Sequence, residues 1–517
     1  MKIMNHSIFQ ACPSHTQRII RRGQRLTALV IPLLIAIQNG FCLQITNDYW
    51  ITTNSATMNL GTLQEPFDGS TQLKFDSVVY NLPTNSVLHI LPGTYTTIGA
   101  QVNGFIPKAG QKIIGSGIDV TKVQLQSGAG SGLSVISGGS CDKVEVSDMT
   151  IDCGPSNAGT VHGIILWGSK CAIRRVKVIN ANHDGVVSSE SFCIAIVNVP
   201  GSNSEGNIIE ECEVSQFRQG SCSGISLGAT SPGWISGVIR NNRIFLNNAF
   251  DANINLAINC YNLLNSLIEA NYVNTADYGF YGDTFTYTNV IVAHNMFLNV
   301  CNGVGIFSSI RENLSFIDNK ITVTNAANGA GYGFLLWTAE SIRSVLIKGN
   351  TVQYNFGDSV VIGYGIRATN VQHLEAVDNV FDKSMLNDLR GCTNVVLRNN
   401  RDFDGNVITN LPITGLPRRT VASNGTNQIF YSDEYVGVFV SGGIPPTLAL
   451  PSAVTYPGKE YIFVDEKGSA ASNYLITILP AGTEKVSGLG SRAIASAFGS
   501  YRVFSNGTNW FGISGTP

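Results

Sequence analysis

The chain is 517 residues long, 44% hydrophobic and only 13% charged, with 54 glycines and a formal net charge of −2. This profile excludes a helical bundle, which needs far more Glu, Lys, Leu and Ala, and it offers no basic surface for nucleic acid. What remains is a turn-rich, all-β protein whose polar and aromatic surface suits carbohydrate.

The N-terminus reads as an export signal. Arg18 to Arg25 (RIIRRGQR) is basic and precedes the apolar run Leu26 to Ile37, with Gly40 and Cys42 as the small residues ahead of Leu43. Residues 1–42 are therefore expected to be a signal peptide with an extended N-region. The apolar run is too short to span a bilayer comfortably, so no stable membrane span is expected after cleavage. The expected destination is secretion or the cell surface. Nine of the 11 cysteines fall between Cys141 and Cys392. Their odd number and loose spacing define neither a disulfide framework nor a zinc site. Cys141–Cys153 and Cys212–Cys222 are the two pairs singled out as candidate bridges.

Residues 43–130 read as an N-terminal cap and first coils. Asp68 to Leu82 (DGSTQLKFDSVVYNL) has the pattern of an amphipathic capping helix. Asn85 to Thr97 is a strand, a Pro-Gly turn and a second strand. LPGTY (Leu91 to Tyr95), IIGSG (Ile113 to Gly117) and TKVQL (Thr121 to Leu125) resemble the opening coils of pectin-lyase-like right-handed parallel β-helices. The GDG…DD pattern that usually precedes them in that superfamily is absent. The resemblance implies the fold and a polysaccharide partner without selecting one enzyme family.

From 131 to 410 a repeat dominates. VSDMTI, IRRVKV, IEECEV, IRNNRI, IEANYV, VAHNMF, FIDNKI, IKGNTV, AVDNVF and LRNNRD align with Asp148, Arg175, Glu211, Asn242, Asn271, Asn295, Asn319, Asn350, Asn379 and Asn400 in one register. The mean spacing is about 28 residues, in the range of a β-solenoid. Asn suits such a position because it tolerates a left-handed turn and its amides can stack into a hydrogen-bonded ladder. A second strand in each coil opens with Gly, as in HGIILWG, SGISLG, NGVGIF and YGFLLW. The first and third residues after that Gly are apolar and should point inward, among them Ile164, Leu166, Ile225, Leu227, Phe334 and Leu336. The second should point out: Ile165, Val187, Ser226, Asn255, Tyr281, Gly305, Leu335 and Arg367.

Residues 411–420 read as a linker, and 421–517 as a β-sandwich-like module of short antiparallel strands. LPSAVTYPGKEYIFVDEKGSAASNYLITI and SNGTNW, within Pro451 to Ser514 and its flank, resemble a C-terminal module of phage tail proteins and bacterial surface proteins. That resemblance implies attachment or oligomerisation, with a homotrimer as the assembly. The fold class expected for the whole is all-β: a right-handed single-stranded parallel β-helix followed by this small module.

Stacking turns distant sequence positions into neighbours about 4.8 Å apart. On that arithmetic Asp251 and Asp277 lie one coil apart, near the spacing of a retaining carboxylate pair. Asp283 and Asp184 extend the candidate catalytic cluster, with His183 beside it. Tyr278, Tyr281, Asn255, Arg311 and Arg367 are candidate substrate-binding residues, the tyrosines as stacking surfaces for sugars. Each Asp also fits a turn that simply bonds its own backbone. The residues suit a glycoside hydrolase or a polysaccharide lyase acting on an extended, acidic or neutral glycan. No cofactor is required for hydrolysis. For a lyase, Asp251, Asp277 and Asp283 would supply hard oxygen ligands to Ca²⁺. The polygalacturonase and calcium-dependent pectate lyase signatures are both missing, and a non-catalytic glycan-binding surface or tail-spike-like adhesin is the alternative.

Overall fold

The computed structural model describes residues 47–54, 59–157, 159–183, 191–215, 221–230, 232–246, 254–282, 286–307, 311–324, 330–337, 342–355, 362–382, 386–407, 418–421, 425–429, 435–438, 446–455, 457–468, 470 and 474–515. The expected signal peptide and most of the expected linker lie outside the described residues. Among the described residues no helix is long and apolar enough to cross a membrane.

From Asp48 to Arg398 the strands stack into three sheets, and every pairing between them is parallel. Sheet A runs from Leu133–Gly138 through Val161–Trp167, Ser191–Val197, Cys222–Gly228 and Asn255–Tyr261 to Leu386–Arg390. Sheet B runs from Asp48–Thr52 to Val395–Arg398, and sheet C from Gly93–Thr97 to Val380–Phe381. Two long strands, Tyr272–Gly282 and Met296–Phe307, start in sheet C and finish in sheet A. This is the expected parallel β-helix.

Its core is the inward row of each strand. Ile164, Leu166, Ile225, Leu227, Val304, Ile306, Phe334 and Leu336 are all 0–1% exposed, as the two-residue period requires. Each such side chain contributes roughly 1.5–3 kcal/mol of burial. The open N-terminal end is covered by the helix Gln72–Asn81, capped by the Thr71 hydroxyl. Phe75 of this helix packs on Tyr95 and Phe105. Asp76, 1% exposed, accepts from the Thr97 hydroxyl (2.6 Å) and the Ile98 N–H (3.0 Å). The helix therefore shields the first coil's edge from pairing with another chain.

The asparagine ladder forms, with a correction to its register. Asn242, Asn271, Asn295, Asn319, Asn350, Asn379 and Asn400 are each 0–1% exposed and stacked in consecutive coils. Each amide nitrogen from Asn242 to Asn379 donates to the next coil's amide oxygen at 2.9–3.0 Å. Each also donates to a main-chain carbonyl of the coil before, as Asn295 does to Ile268 (3.0 Å). The left-handed residue is the one ahead of the ladder Asn: Asn241, Ala270, His294, Asp318 and Asp378 have φ of 50–57°. In the first three coils Asp148, Arg175 and Glu211 occupy that preceding position, with φ of 49–59°. Met149, Val176 and Cys212 are the true counterparts of Asn242. Matching polar residue to polar residue displaced those coils by one.

Two outward assignments also shift. The coil-opening Gly marks a kink in sheet A, where a Cβ on Gly279 would lie 2.7 Å from Phe297 Cδ1 and 2.8 Å from the Gly303 carbonyl. Where the kink residue is not Gly, sequence matching loses register. Cys193 and Ala257 take that place, so the outward residues are Ala195 rather than Val187 and Asn259 rather than Asn255. Val187 itself lies outside the described residues.

Residues after Arg418 have a separate core around Trp510, Tyr461, Phe463 and Val503. The expected all-antiparallel order is wrong in part. The chain first alternates between two small sheets, with Arg418–Val421, Tyr435–Val438 and Glu460–Asp465 parallel in one, and Gly425–Gln428, Pro446–Ala449 and Ile476–Leu479 parallel in the other. Only the closing strands Arg492–Ile494, Ser500–Ser505 and Trp510–Gly515 pair antiparallel. Short strands bounded by Gly and Pro have the same sequence texture in either direction.

Candidate functional site

The outer face of sheet A carries an unusual set of side chains between the coils of Cys222 and Met296. Two columns face away from the core there. One, just before the kink, is Ser223, Leu256, Tyr278 and Asn302; the other, two residues after it, is Ser226, Asn259, Tyr281 and Gly305. Outward polar residues normally meet water, yet Ser223 and Ser226 are 0% exposed, Asn259 4% and Asn302 8%. Asn259 donates to the Ser223 hydroxyl across the coils (2.9 Å). The Ser226 hydroxyl and the Asn302 side-chain oxygen are buried with no hydrogen-bond partner. Buried groups of this kind cost free energy until something satisfies them.

Asp277 stands at the margin of this strip, where the strand turns from sheet C into sheet A, and it is half-buried. Its carboxylate accepts from the Asn255 main-chain N–H (2.7 Å) and from the Cys301 thiol (3.4 Å). Asn302 donates to the Asp277 carbonyl (3.3 Å), tying the two neighbouring coils together. Beside it the Tyr278 and Tyr281 rings meet edge to face at 5.0 Å, and Phe307 from the next coil packs on both. Gly305 leaves room for this, because a side chain there would collide with the Tyr278 ring. Burial first, and the neighbouring Tyr281 second, hold the Tyr278 phenol protonated well above its ordinary range. Tyr278 is thus a fixed neutral hydroxyl-bearing ring at working pH.

Of the expected catalytic residues Asp277 alone is described at this site, joined by three of the expected substrate-binding residues. Asp277, Tyr278, Tyr281 and Asn255 share the site, although Asn255 acts through its backbone. Asp184, Asp251 and Asp283 lie outside the described residues, as does the Arg311 side chain. Arg311 opens a sheet B strand, paired with Tyr287. His183 does not join Asp277. It is 1% exposed in the segment whose neighbour Asn182 bridges Val161, several coils away. In that region His162 Nδ1 accepts from the Phe192 N–H (3.0 Å), and the His162 pKa is pushed down to about 4 by burial first and by the charge of His183 second.

Arg367 is also separate, three coils beyond Tyr281 in the same outward column, roughly 14 Å along the axis. Its guanidinium lies 4.3 Å from the Trp337 ring centroid, donates to the Tyr332 hydroxyl (2.7 Å) and sits 3.5 Å from Asp388. Trp337 remains 43% exposed. Neither candidate disulfide forms: none of the nine described cysteines is in a disulfide, and the Cys222 sulfur lies 3.5 Å from that of Cys193 instead. Among the described residues no three His, Cys, Asp or Glu side chains converge as metal ligands. Asp277 alone does not make a calcium site, and the carboxyls of Asp251 and Asp283 lie outside the described residues.

Sequence reasoning missed Asn259, and it left Ser223, Ser226 and Asn302 unassigned. The signal for Asn259 was present. Aligning Ile258 with Ile225 rather than seeking a Gly would have set it beside Ser226.

The molecule is thus a parallel β-helix with a buried polar strip on one outer face. Its sequence matches no protein-family model and no curated protein sequence. Similar solved structures include an exopolygalacturonase from Thermotoga maritima, at 13% identity and a TM-score of 0.43, covering 60% of this chain and 84% of that one. DFA-IIIase from Arthrobacter chlorophenolicus A6 without its lid is similar at 14% identity and 0.47, covering 69% and 96%. A mannuronan C-5 epimerase A-module from Azotobacter vinelandii is similar at 13% and 0.31, covering 65% and 94%. Likeness at this level says nothing about the chemistry of the strip.

Proposed function

We propose that the protein binds an extended polysaccharide along the outer face of sheet A and cleaves it with Asp277 as a catalytic carboxylate. The observation that carries this reading is the row of buried, outward polar side chains, two with unsatisfied oxygens, bordered by Asp277 and the Tyr278–Tyr281–Phe307 cluster. Sugars offer what such a strip lacks: hydroxyls that donate and accept at short intervals, and C–H faces that pack on aromatic rings. Both Asp277 oxygens accept hydrogen bonds, so the group is suited to take a proton or attack rather than to donate. The partner acid comes from Asp251 or Asp283 in this proposal.

The test is release of reducing ends, and of unsaturated ends by ultraviolet absorbance, from a glycan panel by the wild-type protein and an Asp277→Asn variant. Loss of product with binding retained supports the reading. Equal product from the variant removes Asp277 from the mechanism. One observation favours the second reading, a binding-only adhesin: glycoside hydrolysis uses two carboxyls, and one is described at the strip. Binding by the wild-type protein with no product of either kind would establish it. Export through residues 1–42 and trimerisation through the C-terminal module belong to the same proposal and rest on the sequence alone.

A further inference from the structure

We propose that the indole of Trp337 is a distal platform of the glycan site, stacking a sugar two coils beyond Asp277, so that the polysaccharide lies along the solenoid axis. The inference rests on the strip being a glycan site and says how far, and in which direction, that site extends.

The two outward columns of the strip continue past Asn302. Tyr332 and Tyr364 follow Asn302 in one, and Leu335 and Arg367 follow Gly305 in the other. A third outward column lies two residues further along the strand, where Phe307 pairs with Trp337. Phe307 is the ring that packs on both Tyr278 and Tyr281. Trp337 therefore stands one coil, about 4.8 Å, past the aromatic cluster at Asp277 and two coils past the strand of Asp277 itself. The strands Tyr272–Gly282, Met296–Phe307, Ala330–Trp337 and Ile362–Thr369, which stack in that order, each present an aromatic ring on this face. Trp167 holds the same strand position in an early coil, but the next coil sets Val197 beside it rather than a ring.

Trp337 is the most accessible ring of this run, 43% exposed where Tyr278, Tyr281, Phe307, Tyr332 and Tyr364 are half-buried. A single exposed indole is ordinary on a protein surface. This one is held in place. The Arg367 guanidinium lies against the ring, 4.3 Å from its centroid, as a cation on an aromatic face. Arg367 is fixed in turn by its bond to the Tyr332 hydroxyl (2.7 Å) and by Asp388 (3.5 Å). Tyr332 and Tyr364 stack on each other at 5.4 Å and flank the same guanidinium. The result is a flat apolar surface ordered before any ligand arrives, which lowers the entropy lost on binding. Sugar C–H faces pack on such a surface. The coil rise of about 4.8 Å is close to the length of one sugar unit, so a glycan laid along the axis sets successive sugars over successive coils. A chain with one sugar at Asp277 then reaches Trp337 with a later one.

Disaccharides and hexasaccharides prepared from inulin, dextran, xylan, galactomannan, polygalacturonate and polymannuronate are titrated into the full chain by calorimetry and by tryptophan fluorescence. The wild-type protein is compared with Trp337→Ala, Trp337→Phe and Tyr281→Ala, each checked for a wild-type thermal midpoint. Trp337→Phe keeps a ring, so it separates loss of the platform from loss of the fold. The expected result is that at least one hexasaccharide binds, about tenfold more weakly to Trp337→Ala and less affected by Trp337→Phe, while the matching disaccharide binds all these Trp337 forms alike. Trp337→Phe should also abolish the change in emission that the hexasaccharide causes. Hexasaccharide binding weakened by Tyr281→Ala but equal in Trp337→Ala would overturn this inference and keep the strip as a glycan site. Equal loss for both lengths in Trp337→Ala would overturn the distal placement. Binding of no oligosaccharide, or binding indifferent to Tyr281→Ala, would overturn the strip as a glycan site and this inference with it.

Discussion

The asparagine ladder gives the most direct test of what holds the solenoid in register. In Asn295→Ala the neighbouring coils lose four contacts made by this side chain, one of them the Asn295 Nδ2 bond to Asn319 Oδ1 (3.0 Å). The Asn271 main-chain N–H and its Nδ2 both donate to Asn295 Oδ1, at 3.0 and 2.9 Å, and Asn295 Nδ2 donates to the Ile268 carbonyl. Asn271 Nδ2 keeps its bond to Ile239, and Asn319 Oδ1 still accepts from the Asn295 main chain. The net damage is one fully orphaned buried N–H and three groups left partly unsatisfied, Asn271 Nδ2, the Ile268 carbonyl and Asn319 Oδ1. At 1–3 kcal/mol for an orphan and less for the others, the cost is about 3 kcal/mol. Asn289→Ala is the matched control, since Asn289 makes the same kind of amide stack with Asn265 and Asn313 but on the exposed surface. It should cost about 1 kcal/mol, nearly all from the left-handed backbone (φ 53°) that Ala tolerates less well than Asn, because water replaces the lost bonds. Urea unfolding followed by circular dichroism compares the two midpoints. Equal midpoints would refute the argument that burial, rather than the amide stack as such, gives the ladder its strength.

Two further outcomes follow from the same geometry. Gly279→Ala should destabilise by roughly 1–3 kcal/mol, because its Cβ meets both the Phe297 ring and the Gly303 carbonyl and the backbone must move to make room; a wild-type thermal midpoint would show that the kink is not sterically enforced. His162 titrates near 4 in the fold and near 6.5 when unfolded, so the unfolded chain binds more protons in between. Stability should then fall as pH drops from about 6.5 to about 4, by on the order of 2 kcal/mol, and this part should level off below. His162→Gln keeps an acceptor for the Phe192 N–H but does not titrate, so its thermal midpoint should drop less between pH 7 and pH 4.5. An identical slope would remove His162 as a cause.

Much of the architecture was legible because its causes are local. Apolar alternation around each opening Gly, the recurring Asn and the capping pattern of Asp68 to Leu82 are written in adjacent residues, and each forms as expected. The errors arise where two local patterns lie one or several residues out of phase. Asp148, Arg175 and Glu211 look like ladder residues because they are polar, yet the ladder position in those coils is filled by Met149, Val176 and Cys212. Parallel and antiparallel strands in the C-terminal module differ only in which distant partner they meet, and no single-strand pattern encodes that.

The site was less legible for a physical reason. A catalytic constellation in a solenoid is a column, assembled from one residue per coil at intervals that loops vary freely. Asn259 and Ser226 are 33 residues apart and Tyr281 is 22 further on, so no fixed spacing reveals them. What does reveal them is a contradiction between levels. The strand period points these side chains outward and composition makes them polar, yet Ser226 and Asn259 are buried and the Ser226 hydroxyl is unsatisfied. A structural position needs no such conflict, as the ladder asparagines show: they too are buried and polar, but every amide from Asn242 to Asn379 is fully engaged by its neighbours. Unmet hydrogen-bonding capacity therefore distinguishes Asn302 from the ladder asparagines. Asn295 serves the fold, and Asn302, only seven residues later, belongs to the glycan site proposed above.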